Sequence, residues 1–243
     1  RAVLSGQNLS GTDLRGTNLR GANLSGCNLS KSQLAHANVS EANLRQADLS
    51  GSDLSDAYLV QARLFGANLS NADFTRSNLS GAFMTGGLVL DNSCLVGVNL
   101  NGADISNGSL RNADLTVAQM RRVNLSKADF SGARLNGASL KSCMLMGANL
   151  SGAKMTEVVL DSSDLRNARL DNSDLSKSSL KGCDLEGSSL QMAILIGSNL
   201  SNTNFQGADL TLADMTGSDM TGSLLLGANT SWTDFTGTSL DKI

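Results

Sequence analysis

The chain has 243 residues, of which 40% are hydrophobic and only 3% aromatic, with 25 Gly and no Pro; 19 basic and 22 acidic residues leave a net charge of −3. That near balance removes the whole-chain basic footprint of a nucleic-acid binder. No apolar run approaches the about 18 residues of a membrane-spanning helix, and these residues contain no signal peptide.

From Leu4 a large apolar residue recurs at every fifth position through Leu9 and Leu14 to Met84, and the residue two before it is nearly always Ala, Ser, Thr or Cys. Ala22-Asn23-Leu24-Ser25-Gly26 and Ala148-Asn149-Leu150-Ser151-Gly152 show the unit: small, Asn or Asp, Leu, polar, often Gly. A helix wants a 3.6-residue period and a strand wants alternation, so a chain that obeys neither must turn at regular intervals. After Met84 the column resumes at Leu90, which places one extra residue in Thr85-Gly86-Gly87-Leu88-Val89, and the period then holds to Leu240. Two adjacent glycines allow a bulge there, with Leu88 in place of the usual small residue. The domain expected is thus one solenoid over 1–243, with the register insertion at 85–89 dividing 17 repeats from 31. A local kink at that point would expose Phe83, Val89 and Val96 as a contact patch. Thr230 is the one polar residue in the column and lies beside Trp232, the sole Trp; Trp232 is a candidate lid over the last coil.

These units resemble the pentapeptide-repeat family, whose signature is A(D/N)LXX, and the resemblance covers the whole chain in 48 tandem copies. It implies an all-β fold: a right-handed, quadrilateral parallel β-helix with one repeat per side and about 12 coils. With coils roughly 4.8 Å apart the rod would be on the order of 55–60 Å long. In that fold the Leu and the small residue point inward and the other three positions face water. Burying one Leu contributes about 1.5–3 kcal/mol, whereas ordering 20 residues costs roughly 1–2 kcal/mol each. A coil is therefore stable only when stacked. Absence of Pro fits, because continuous ladders need N–H donors. Neither end carries a cap: Leu4 and Leu240 are both in register, so caps are expected outside this segment or partners over its ends. The lack of an initiating Met suggests a processed or excised chain.

Charge is uneven. Residues 184–243 hold seven acids and only Lys242, a local charge of −6. Stacking at 20 residues would align Arg121, Lys141 and Lys181 in a column interrupted by Asp161, weak grounds for anion binding. Cys27, Cys143 and Cys183 take the small inward position and Cys94 an outward one. Cys143 and Cys183, two coils apart, stand too far for a disulfide. All four thiols are expected to be reduced, compatible with a reducing compartment; no CxxC spacing suggests zinc.

Chemistry is sparse. His36 is the only His, at a corner, without a nucleophile or carboxylate partner in pattern. No phosphate loop precedes a helix, and a bore filled with Leu and Ala leaves no pocket. No catalytic, cofactor or metal residue is assigned. Surfaces remain: Phe65, Phe83, Met144, Met146, Leu224 and Leu226 collect on one face, with Tyr58, Val60, Ile194 and Ile196 on others. The expected function is a non-catalytic scaffolding rod with protein partners, part of a larger protein or assembly. The resemblance implies an alternative: a DNA-mimicking regulator of a type II topoisomerase such as gyrase. The balanced charge and a C-terminus that stays in repeats depart from those family members.

Overall fold

The computed structural model describes residues 2–239. Leu240, the last inward position of the sequence, and Lys242 lie outside the described residues.

Each repeat begins with two inward side chains and ends in a turn. In the unit at Leu24, the Cys27 N–H donates to the Leu24 carbonyl at 3.1 Å, and Gly26 between them has φ +65°. A positive φ at the third turn position is the mark of a type II turn, which Gly supplies without a steric penalty. Half of the corners carry a side chain instead: Lys31, His36 and Asn71 have φ of 55°, 59° and 57°. The stack overrides the local preference at those sites.

Between turns each repeat contributes one bridge residue rather than a long strand, and the bridges join residues 20 apart in parallel: Asn23 to Asn43, Asn28 to Asp48, Gln33 to Asp53, Asn38 to Tyr58. Three backbone bonds per repeat tie one coil to the next. Leu24 donates to Asn43 at 2.8 Å, Gly26 to Arg45 at 2.8 Å, and Asn43 back to Ala22 at 2.9 Å. Four faces result, named here in chain order by their central residues: the first from Leu4, the second from Leu9, the third from Leu14 and the fourth from Leu19.

The bore holds one continuous core from Ala22 to Met220, with its Leu, Phe and Met side chains essentially inaccessible to water. It is less purely apolar than the sequence suggests. Inward Ser, Thr and Cys groups donate to Leu or Met carbonyls, either in their own turn, as Ser32 to Leu29 at 2.6 Å, or in the preceding coil, as Ser163 to Leu140 at 2.7 Å and Cys143 to Met120 at 2.6 Å. Small polar residues thus serve in place of Ala where a carbonyl accepts their proton; the buried Ser218 hydroxyl has no such partner. Outside the bore, an Asn or Asp before the central residue accepts from the N–H two residues on, as Asp53 from Ser55 at 2.9 Å.

At the insertion the bridge spacing changes from 20 to 21: Asn68 pairs with Val89 and Phe83 with Asp104. Gly86 and Gly87 both have φ +78°, so the bulge is two consecutive left-handed residues where an ordinary corner has one. Leu88 is fully buried. The ladder skips from the Met84 donor to Val89, whose bond to Ala67 lengthens to 3.3 Å.

Candidate protein-contact surfaces

Phe65 and Phe83 meet on the first face. They are about half exposed and line a cleft with Arg45, Arg63 and Thr85. The Phe65 ring lies over the bulge so closely that a Cβ on Gly86 would sit 2.3 Å from its Cε2 atom. Phe65 therefore covers the insertion as well as facing solvent.

The other first-face residues stand apart. Met144 and Met146 flank Leu145, and along that column Asp104 and Asn124 separate Phe83 from Met144. Asp164, Asp184 and Asn204 separate Met144 from Leu224, and Arg166 reaches Asp164 at 2.7 Å and Asp184 at 3.6 Å across that gap. One face thus bears three apolar islands divided by polar coils, not a stripe. The island at Leu224 and Leu226 is the most open, with Leu226 78% exposed beside a shallow groove edged by Gln206, Ser223 and Gly227.

Two expectations are corrected. Phe83, Val89 and Val96 do not form one patch: Val89 pairs with Asn68 and Ser109 on the second face, Val96 accepts from Arg76 on the third, and both are half-buried. Turning the chain at the two glycines absorbs the extra residue without splaying these side chains outward. Trp232 is not a lid. It occupies a corner at φ 61° and is 85% exposed, because an outward corner points its ring away from the bore.

Sequence reading missed a third surface. Met192, Leu212 and Trp232 sit 20 residues apart at the corner between the second and third faces, all at positive φ, and the third face that follows Met192 carries the exposed Ile194 and Ile196. Comparing corner positions at the coil spacing would have found it.

Several charged groups pair across coils. Arg111 grips Asp91 at 2.6 and 2.9 Å, Arg76 grips Asp56 at 2.7 and 2.9 Å, and Lys141 approaches Asp161 at 3.4 Å within the column that also holds Arg121 and Lys181. Arg45, Arg63, Arg121 and Arg122 have no carboxylate partner among the described residues. The four cysteines are free, and burial pushes the Cys143 thiol up to about 11 and Cys183 up to about 12, so both stay protonated. Among the described residues no group of three His, Cys, Asp or Glu could hold a metal ion, and no helix is long and apolar enough to cross a membrane.

Five-residue turns, a parallel bridge at every twentieth residue and contact chemistry confined to the outer wall define a quadrilateral β-helical repeat protein. The chain belongs to the pentapeptide repeat family: the description "Pentapeptide repeats" matches in eight copies, over residues 1–34, 27–64, 52–87, 93–132, 124–161, 153–191, 183–222 and 213–242. Among solved structures it is similar to HetL, a pentapeptide repeat protein involved in heterocyst differentiation regulation from the cyanobacterium Nostoc sp. strain PCC 7120, with 27% identity over 96% of this chain and 90% of that one and a TM-score of 0.40. It is also similar to QnrB1, a plasmid-mediated fluoroquinolone resistance protein, at 18% identity over 99% and 92% of the two chains and a TM-score of 0.45. A pentapeptide repeat protein of the Arabidopsis thaliana thylakoid lumen is 34% identical over 44% of this chain and 71% of that one, with a TM-score of 0.34. No curated protein matches.

Proposed function

We propose that this protein is a non-catalytic rod that holds other proteins on its outer wall. The observation that supports this most is the exposure of large apolar side chains in islands on a flat, backbone-laddered face: Phe83 at 56%, Met144 at 50% and Leu224 at 52%. A rigid surface loses little entropy on docking, so such islands convert contact area into affinity efficiently. The side-chain chemistry points the same way. His36 sits at an exposed corner in the column of Asp56 and Arg76, and the buried thiols of Cys143 and Cys183 are protonated and poor nucleophiles.

The test is capture of partners from the native source by the wild-type chain and by a Met146→Glu, Leu226→Glu variant. A partner identified by mass spectrometry with the wild type should be retained at least tenfold less by the variant; equal retention removes the first face from the reading. Purified gyrase should supercoil DNA at an unchanged rate in the presence of the protein. Inhibition of supercoiling would instead support topoisomerase regulation.

A further inference from the structure

The corner between the second and third faces has a consistent composition for most of its length. It reads Gly11, Lys31, Gly51, Asn71, Asn92, Asn112, Gly132, Gly152 and Asn172, residues that either tolerate a positive φ or stay solvated. In the next three coils it becomes Met192, Leu212 and Trp232, with φ of 57°, 60° and 61°. Their exposures are 55%, 53% and 85%. Each is disfavoured twice, by its backbone conformation and by water on its side chain. Among the described residues Val117, at a different corner, is the one other large apolar residue so placed, and it stands between Gly97 and Gly137. Three in consecutive coils form a ridge with about 4.8 Å between neighbours. Folding does not require it.

Carboxylates fall away on both sides of the ridge. Asp209 lies on the second face, and Asp174, Asp214 and Asp234 line the third, where the bridge column runs Asp174, Ile194, Asp214, Asp234. None has an ion pair among the described residues, and the sequence supplies no basic residue from 184 to 241. The Thr211 hydroxyl and N–H hold Asp209 below the usual carboxylate range, and Thr236 does the same for Asp234. Some carboxylates elsewhere on the rod meet arginines across coils, as Asp56 and Asp91 do; the four beside this apolar ridge meet none.

Resting on the reading of the rod as a protein-binding scaffold, we propose that the Met192–Leu212–Trp232 ridge docks a basic amphipathic helix of a partner protein, lying along the rod axis. Successive turns of a helix rise about 5.4 Å, close to the coil spacing, so apolar residues at i, i+3 or i+4, and i+7 can follow the ridge. Flanking Lys and Arg then reach down to Asp209 on one side and Asp214 and Asp234 on the other. A second copy of this chain would bring like charges together, and an anionic membrane would be repelled by the same carboxylates.

Trp232, the only Trp of the chain, reports the contact directly. The probe is a synthetic, Trp-free helical peptide of Leu and Lys in a 3.6-residue pattern, compared with the same peptide carrying Glu for Lys and with phosphatidylcholine vesicles. Expected are a saturable blue shift of Trp232 emission with the basic peptide, weakening with salt, and at least tenfold weaker binding of the acidic one. A Met192→Asn, Leu212→Asn variant should bind the basic peptide at least tenfold more weakly while melting at the same temperature or higher, because Asn accepts the corner conformation. The proposal is overturned by no shift, by equal binding of the two peptides or by an unchanged variant. It is equally overturned by binding to the vesicles, or by a dimer in sedimentation that the variant dissolves. Failure here with first-face capture intact would remove only this docking site; failure of both would remove the scaffold reading.

Discussion

Asp91 shows what one side chain contributes to the stack. It accepts from the Arg111 guanidinium at 2.6 and 2.9 Å, from the Ser109 hydroxyl at 2.5 Å and from the Arg111 N–H at 3.1 Å, all in the next coil. Burial pushes its carboxyl up, but the Arg111 side chain, the Ser109 hydroxyl and the Arg111 N–H together outweigh burial and hold it below its ordinary value. A group whose folded pKa is lowered stabilises the fold above its unfolded pKa of about 3.9 and loses that contribution as pH falls through the folded value. Asp91→Ala should therefore cost about 1.5–3 kcal/mol at neutral pH, the range for hydrogen bonds to a charged group. The gap in stability between wild type and variant, measured by urea unfolding at several pH values, should be constant near neutrality and shrink below about pH 4. A gap that widens in acid would contradict the assignment. None of this was visible in the sequence, where Asp91 is one more acid one position after an inward Leu. Its partners become neighbours only once the 20-residue coil closes.

At the scale of the turn and the bulge, legibility was uneven for a physical reason. The five-residue period specifies which side chains go inward because core burial is the strongest force on each unit, and Leu24, Leu125 and Leu200 are all fully buried. The insertion was equally legible, since losing register by one residue shows as a six-residue gap between Met84 and Leu90. The fate of its neighbours was not. Val89 and Val96 fold back against the wall and Phe65, one coil earlier, closes over Gly86. The corner ridge escaped notice because corner residues follow no apolar rule within one repeat and align only between coils. The bulge yields a prediction of its own. Gly86→Ala imposes a Cβ at φ +78° and drives the Phe65 ring away, at a cost of about 1–3 kcal/mol. In a Phe65→Ala background the steric part disappears, so the same change should cost less. A double-mutant cycle in denaturant reads the difference as coupling; additive costs would mean that the ring does not rest on the bulge.

For the whole rod, the question is whether the insertion divides it. Against division, the core passes through without a gap, Leu88 and Leu90 being as buried as Leu69 before them and Leu110 after. For division, the backbone ladder is interrupted at the two glycines, where each ordinary repeat supplies three bonds to its neighbours. In a solenoid, stability is the sum of weak units and the interfaces between adjacent coils, so a single poor interface can uncouple what lies on either side. Interfacial burial should prevail here, because a lost backbone bond at an exposed bulge is replaced by water and contributes only about 0.5–1.5 kcal/mol net, whereas each buried Leu contributes about 1.5–3 kcal/mol. Phe74→Ala, in the shorter segment, should remove about 3–5 kcal/mol. Native-state hydrogen exchange should then show loss of amide protection both at 64–79 and at 100–115, on either side of the insertion. Protection lost only before residue 85 would make the insertion a boundary between two independently unfolding rods.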